Sequence, residues 1–269
     1  MWPLVFKNIS VVSIGGKGSG KTVGYLVPLI NMLCSYDYPR PINQSPLAVI
    51  LCPSWKDVVE IEGWVKTLAA GLTVPGEMDT DATKNRAEAG SKPSARRQYL
   101  LVPTSFLFAA YETKISPREV KVLAVYEKET EEKKTVALAN GCHVLITTPP
   151  SLVRIVTCDN PVTNLDRCCH LMVEKADVTF ERFGEDVNVL MRLFGIIEEK
   201  RRNGNPMQTV LTSRQWTDNV RSFAEEFLKS SDSDGAKRGT YFMFVDYLEA
   251  FVYGKQKVSE QVLSSVVTN

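Results

Sequence analysis

A glycine-rich segment near the start of the chain has the spacing of a phosphate-binding loop. Its eight residues fit the pattern G-x-x-x-x-G-K-[ST]. Glycines let backbone N–H groups turn inward around phosphate oxygens, and a following helix adds the positive end of its dipole. In this pattern the lysine, Lys21, reaches the β and γ phosphates, and the hydroxyl of Thr22 is a ligand for Mg²⁺. The pattern therefore predicts a site for ATP and Mg²⁺, and the alternative is a glycine-rich turn without a ligand. The predicted site consists of Gly15, Gly16, Lys17, Gly18, Ser19, Gly20, Lys21 and Thr22.

Such a loop needs a strand before it and a helix after it, and the sequence predicts both. Short β-branched runs alternate with segments of helical period along the chain. The predicted strands cover 11–14, 47–51, 144–146, 171–173 and 209–211, and the predicted helices cover 23–33, 58–70 and 218–229. Apolar runs this short are typical of strands buried on both faces of a parallel sheet. We therefore predict an α/β fold with a doubly wound, mostly parallel sheet.

The composition excludes collagen-like, disordered and coiled-coil chains. The chain has 269 residues, of which 44% are hydrophobic and 23% are charged, as in a globular domain. Its 32 basic and 31 acidic residues give no net charge that would favour a nucleic acid or a membrane. The longest nearly apolar stretch, residues 25–34, is far shorter than the roughly 20 residues of a membrane span. Residues 1–14 lack a basic leader and a cleavage site, so we expect a cytoplasmic protein that does not contact membranes.

Most of the chain is predicted to form one domain, residues 1–253. Residues 73–98 and 127–134 are rich in charged and small residues, which predicts solvated loops or fraying helix ends. Residues 230–239 form a third interruption before a β-rich run at 241–253, which predicts a last strand or an exit from the domain. We interpret residues 254–269 as a tail that leads toward an absent second domain.

Several motifs resemble, in chain order, those of the first RecA-like domain of DEAD-box RNA helicases. After the phosphate loop, 52–57 (CPSWKD) stands in place of the family's PTRELA and 148–152 (TPPSL) in place of TPGRL. Further on, 173–177 (VEKAD) stands in place of an apolar residue plus DEAD, and 212–216 (TSRQW) is similar to SATW followed by a helix. The resemblance covers about residues 2–253 and implies a RecA-like P-loop fold, ATP and Mg²⁺ as cofactors, and RNA as a partner. An alternative interpretation is an unrelated P-loop kinase or transport ATPase, and the ordered motifs argue against it.

The acidic box departs from the family pattern at two positions. In the family its first Asp holds magnesium and its Glu activates the attacking water, and here these positions are Glu174 and Lys175. A charged lysine cannot accept a proton from water, so we expect impaired hydrolysis. The resemblance implies that Glu174 holds the metal together with Thr22. Asp177 keeps its place, but the family partner that couples it to unwinding is replaced at Ser213 and the next two residues.

The motifs that face RNA in the family are altered as well. By position, Ser54 and Thr148 could still bond a phosphate, whereas the family arginines are replaced by Trp55 and Ser151. Trp55 either stacks a base or packs within the fold, and Arg154 either replaces a lost arginine or is a solvated helix residue. We therefore expect weak binding of single-stranded RNA. Other RNA surfaces would be the basic clusters 96–97 and 200–202.

The chain combines a degenerate acidic box with an intact phosphate loop. In this combination it is similar to the Tudor-domain-containing helicases of the germline small-RNA pathway. That resemblance implies a part in piRNA production, RNA-mediated silencing of transposons and spermatogenesis, with protein partners of that pathway in cytoplasmic germ granules (nuage). Two hypotheses follow for the domain. It is either an ATP-dependent RNA helicase module with impaired hydrolysis, or a non-hydrolysing scaffold that uses the same fold to hold RNA or a protein.

Overall fold

The computed structural model describes residues 1–35, 45–72, 120–127, 131–200, 207–228 and 241–244. Within these ranges, seven strands form one sheet in the order β3-β4-β2-β5-β6-β1-β7, and every pairing of neighbouring strands is parallel. The strands are β1 Val11–Ile14, β2 Ala48–Leu51, β3 Val122–Val125, β4 Val144–Thr147, β5 His170–Val173, β6 Gln208–Ser213 and β7 Tyr241–Phe244. The prediction of a doubly wound parallel sheet is confirmed.

Helices cover both faces of the sheet. They are α1 Trp2–Phe6, α2 Lys21–Ser35, α3 Trp55–Leu72, α4 Glu131–Ala139, α5 Pro149–Thr157, α6 Ala176–Lys200 and α7 Asp218–Phe227. Helix α2 contains Pro28 in its interior, which removes one backbone donor. The carbonyl left without that donor belongs to Gly24, and the missing side chain of Gly24 leaves room for Met1, whose Sδ would lie 2.8 Å from an added Cβ. Helix α6 is kinked at Phe183, where φ is −133°.

The core consists of two apolar clusters, one on each face of the sheet. Alternate residues of a strand point to opposite faces, so Val12 and Ile14 of β1 join one cluster while Val11 joins the other. Strand β2 divides in the same way, with Val49 and Leu51 on one face and Ile50 on the other. Strands buried on both faces explain why their sequences are continuous apolar runs rather than alternating ones.

Strand β3 and helix α4 are among the elements that the sequence did not predict. Strand β3 lies at one edge of the sheet, and its first two residues are half-buried. Helix α4 begins at Glu131, within the segment 127–134 for which the sequence predicts a solvated loop or a fraying helix end. Glu132 and Lys133 are exposed, whereas Lys134 and Leu138, one helical turn apart, are both buried (3% and 4% exposed).

The strands and helices that the sequence does predict begin and end within a few residues of their predicted bounds. The β-rich run at 241–253 begins as strand β7, and its residues after Phe244 lie outside the described ranges. Residues 73–98, 230–239 and 254–269, and the basic cluster 96–97, also lie outside them. In the part of the chain that the structure describes, no helix is both long and apolar enough to cross a bilayer.

Candidate nucleotide-binding site

One edge of the sheet gathers nearly all of the predicted functional residues. Because the strands are parallel, the segments after β1, β2, β4, β5 and β6 leave the sheet at its carboxyl edge. These segments carry the phosphate loop, Ser54, Thr148, Glu174 and Arg214. This is the edge at which doubly wound folds bind ligands.

The phosphate loop connects β1 to α2, as the pattern requires. Gly18 and Gly20 have φ angles of +81° and +80°, a left-handed conformation in which a side chain would be strained. The N–H of Gly15 donates to the carbonyl of Ser213 at 3.0 Å, which ties the start of the loop to the end of β6. Helix α2 begins at Lys21, so its N-terminal N–H groups lie at the end of the loop.

Lys21 folds back over its own loop. Its ammonium group donates to the carbonyl oxygens of Gly15 and Gly16, the latter at 2.7 Å, and to the hydroxyl of Ser19 at 3.0 Å. Partial burial lowers the pKa of Lys21; nearby Glu174 opposes this effect, and Arg214 adds to it. All three acceptors are uncharged oxygens, so a phosphate entering the loop would be a stronger partner for this cation.

Glu174 links the loop to the neighbouring strand. Its Oε1 accepts the hydroxyl of Thr22 at 2.6 Å, and its Oε2 accepts the hydroxyl of Thr212 at 2.8 Å. The residue is 5% exposed, so both carboxylate oxygens are satisfied in a nearly dry environment. Hydroxyl and carboxylate oxygens are suitable ligands for Mg²⁺, which binds through one or two carboxylates together with substrate phosphates. Thr22 and Glu174 would hold the ion, and the ion would neutralise phosphate charge.

Lys175 points its charge toward α3. Its ammonium group forms an ion pair with Asp57, whose other carboxylate oxygen accepts the hydroxyl of Ser54 at 2.5 Å. Its backbone has φ of +49°, a left-handed conformation that is uncommon for a residue other than glycine, and its N–H donates to the Thr212 hydroxyl at 3.2 Å. An ammonium group engaged in this pair offers no lone pair to a proton of water, so it cannot serve as a general base.

A cavity of about 510 Å³ joins these features. It lies between the phosphate loop, α3 and the carboxyl ends of β5 and β6. Among the described residues that line it, the basic ones are Lys17, Lys21, Lys175 and Arg214, and the acidic ones are Asp57, Glu60 and Glu174. The charged groups that line the cavity are therefore slightly cationic in sum, as suits an anionic ligand with a bound metal.

Asp177 and Ser213 are not bonded to each other. The hydroxyl of Ser213 donates to the carbonyl of Gln215 at 2.7 Å, and one carboxylate oxygen of Asp177 is buried without a hydrogen-bond partner. Arg214, the residue after Ser213, is exposed and lines the cavity. The contact that couples these two motifs in the family is therefore not formed between Asp177 and Ser213 in this structure.

Trp55 packs within the fold. Its ring stacks on Tyr126, with centroids 6.3 Å apart and planes 28° apart, and the ammonium group of Lys56 lies 5.8 Å from its centroid. The ring is half-buried. This contact joins the start of α3 to the end of β3 and favours the packing role that the sequence left open.

Thr148 and Arg154 differ in accessibility. Thr148 is 3% exposed, and its hydroxyl donates to that of Ser151 at 3.0 Å, so it is committed to the start of α5. Arg154 is exposed in the last turn of the same helix. Of the four predicted RNA contacts, Arg154 presents the most accessible polar group, while Ser54 is half-buried and bonded to Asp57.

Three residues of the site were not predicted from the sequence. Asp57 is the partner of Lys175, Thr212 is the second donor to Glu174, and Arg214 adds a cation to the cavity. Thr212 lies near the end of β6 and Arg214 follows that strand, so their position beside Ser213 at the carboxyl edge was an available signal. Asp57 had no comparable signal, because its partner lies 118 positions away.

Comparison with known proteins assigns the family. A family model described as DEAD/DEAH box helicase matches residues 1–222. The chain belongs to this family. Membership implies ATP binding, usually with Mg²⁺, and RNA binding.

Individual relatives of this DEAD/DEAH box domain are distant in sequence. TDRD12 from Homo sapiens is 24% identical over 94% of the chain, and TDRD12 from Bombyx mori is 24% identical over 86%. The chain spans only 17% and 10% of the lengths of these two relatives. The crystal structure of the yeast DEAD-box splicing factor Prp28 is 17% identical, has a TM-score of 0.60, and covers 87% of this chain and 41% of its own. This likeness confirms the RecA-like fold.

Proposed function

We propose that this domain binds Mg²⁺ and ATP and retains them without efficient hydrolysis. The observation that carries the proposal is the contrast between two adjacent side chains. Glu174 bonds Thr22 at the end of an intact phosphate loop, as a metal site requires, whereas Lys175 is paired with Asp57 where the resemblance places the base. Binding groups are present, and the predicted base is absent.

We further propose that the domain binds RNA weakly and acts in the germline small-RNA pathway. The carboxyl edge also carries Ser54 and the exposed Arg154, which supports weak binding of single-stranded RNA there. Similarity to TDRD12 from Homo sapiens and Bombyx mori supports a role in germline piRNA production and transposon silencing, within a longer protein located in germ granules. Small-RNA sequencing of germ cells that lack the protein tests this part, and an unchanged piRNA population would contradict it.

A binding and turnover experiment tests the biochemical part. Calorimetry with Mg²⁺ and a non-hydrolysable ATP analogue should show binding that Lys21→Ala weakens by about tenfold or more, since one charge-assisted phosphate contact is lost. Phosphate release from ATP should stay near background, because the loss of a general base costs on the order of 10² to 10⁴ in rate. Lys66→Ala is the control, since Lys66 pairs with Glu62 on the surface of α3.

A second candidate is a scaffold that holds RNA or a protein without nucleotide. The ammonium group of Lys21 is fully engaged by oxygens of its own loop, which favours this candidate. Nucleotide binding that Lys21→Ala leaves unchanged, or no binding at all, would favour the scaffold over the proposal. Turnover typical of an active helicase, and abolished by Lys21→Ala, would show that another residue replaces the base.

A further inference from the structure

Lys175 is one of the basic residues that line the cavity beside the phosphate loop. Its side chain is 31% exposed, and its partner Asp57 is 15% exposed. Both residues line the cavity that contains the phosphate loop. An ion pair that is partly exposed in this way is weak, so the cation can exchange its carboxylate for another anion at little cost.

The backbone of Lys175 is held in place close to the loop. The preceding residue, Glu174, bonds Thr22 of the loop, and the N–H of Lys175 bonds Thr212. On the other side, the carbonyl of Lys175 accepts the N–H groups of Val178 and Thr179, both at 2.9 Å. The left-handed φ of +49° persists because these contacts fix the chain on both sides. The ammonium group, in contrast, is carried by a flexible four-carbon stem, so it can move while its backbone stays fixed.

Asp57 retains a partner when Lys175 moves. Its second oxygen accepts the Ser54 hydroxyl at 2.5 Å, and its own backbone N–H lies 3.3 Å from the same hydroxyl. Departure of the lysine would therefore leave a carboxylate that is partly exposed and still hydrogen-bonded to Ser54, rather than a bare buried charge. This arrangement makes the pair suited to exchange.

We infer that Lys175 gives this site its preference for nucleoside triphosphates over diphosphates, by leaving Asp57 to pair with the terminal phosphate. The inference rests on the proposed nucleotide-binding function and adds the group that recognises the third phosphate. A terminal phosphate carries more charge than one carboxylate, and Lys21 and Arg214 line the same cavity, so the exchange favours the phosphate. A lysine that cannot act as a base thus acts as a ligand for the triphosphate.

Calorimetry on the 269-residue chain tests this inference with Mg²⁺ and either ADP or a non-hydrolysable ATP analogue. The readout is the ratio of the two affinities. Lys175→Gln should lower the preference for the triphosphate by about tenfold, since it removes one charge-assisted contact. Lys175→Arg should retain the preference. Asp57→Asn should raise it, because the lysine no longer has a competing carboxylate.

The double variant Lys175→Gln/Asp57→Asn separates exchange from a general charge effect. Loss of an acidic group strengthens the binding of any anion, but the change in the ratio that Asp57→Asn produces should disappear when Lys175 is absent. Lys66→Gln removes a lysine whose ion pair with Glu62 lies on the surface of the same helix, and it should leave the ratio unchanged. Circular dichroism confirms that each variant is folded.

Two failures can be told apart. Binding that depends on Lys21, with a ratio that Lys175→Gln and Asp57→Asn leave unchanged within twofold, would overturn the inference and leave the proposed function standing. Absence of nucleotide binding, or binding indifferent to Lys21→Ala, would overturn the proposed function and the inference with it.

Discussion

The carboxylate of Glu174 is buried, and both of its oxygens accept hydroxyl hydrogen bonds, from Thr22 and Thr212. A buried charge is tolerated only where such partners or a metal compensate for lost hydration. One partner belongs to the phosphate loop and the other to β6, so this one side chain fixes the loop relative to the sheet. The same geometry that stabilises the charge therefore also positions a metal ligand.

Glu174→Gln should reduce the benefit that Mg²⁺ brings to nucleotide binding. The amide has one acceptor oxygen instead of two and carries no charge, so it is a poor ligand for a hard cation. We expect the gain in affinity for an ATP analogue on adding Mg²⁺ to fall by about tenfold, measured by calorimetry with and without the metal.

Glu60→Gln is the matched control for this experiment. Glu60 lines the same cavity, and its replacement removes the same charge. The hydroxyls of Thr22 and Thr212, however, bond Glu174 and not Glu60. It should leave the gain from Mg²⁺ nearly unchanged. An equal loss in both variants would mean that the field of the cavity, rather than coordination by Glu174, controls the metal.

Sequence reasoning at this scale succeeds where the functional residues are contiguous. The loop from Gly15 to Thr22 is predicted because backbone geometry, helix start and side chains are encoded in eight consecutive positions. The pair of Lys175 with Asp57 is not, because it forms across the sheet edge between segments 118 positions apart. Nothing in the local pattern around Asp57 distinguishes it from an ordinary acidic residue in the first turn of a helix.

At the scale of elements, a polar contact joins α1 to the centre of the sheet. His170 of β5 and Gln208 of β6 are buried neighbours, with Nδ1 and Oε1 3.1 Å apart. The amide nitrogen of Gln208 donates to the carbonyls of Val5 and Ile9, both at 2.9 Å. Its oxygen therefore acts as an acceptor, and His170 is the donor through Nδ1–H.

This contact predicts a loss of stability in mild acid. Burial lowers the pKa of His170 from 6.5 to about 4, and the bond to Gln208 opposes the shift. Below pH 6.5 the unfolded chain binds a proton that the folded chain excludes, so the free energy of unfolding falls progressively as the pH drops to about 4. The loss from this residue should reach about 3 kcal/mol.

Urea unfolding between pH 7 and pH 4.5 measures this effect. His170→Asn, whose amide nitrogen can replace Nδ1 as the donor, should flatten the pH dependence even if it lowers stability at pH 7. His143→Gln removes the other histidine and should retain the slope. An unchanged slope in His170→Asn would show that carboxylates, not this histidine, cause the acid sensitivity.

Strand β3 and helix α4 were not predicted because their burial is incomplete. The residues of β3, at an edge of the sheet, form a run of four whose first half is only half-buried, so the apolar signal is short. Helix α4 has the sequence EEKKTVALA, in which charge dominates and the buried face is narrow. Central strands such as β2 and β5 were predicted because both of their faces are covered, which favours apolar residues at nearly every position.

At the scale of the whole molecule, the charge balance restricts how RNA can bind. The chain has a net charge of +1, so it has no general attraction for a polyanion. On the carboxyl edge, Trp55 is engaged with Tyr126 and Thr148 with Ser151, which leaves Arg154 as the exposed cation of the predicted set. Affinity must therefore come mainly from uncharged hydrogen bonds and one phosphate contact.

Binding of single-stranded RNA should accordingly be weak, with a shallow dependence on salt. One phosphate contact releases roughly one counterion or fewer, so the logarithm of the association constant should fall with the logarithm of salt concentration with a slope of about −0.7 or shallower. Fluorescence anisotropy of a labelled RNA at several salt concentrations measures the slope.

The variant Arg154→Ala should make this slope shallower still. Arg192→Ala removes an exposed arginine about four turns beyond the start of α6, away from the carboxyl edge, and should leave the slope unchanged. Tight binding with a steep slope that Arg154→Ala does not alter would place the RNA on another surface, such as the basic cluster at 200–202.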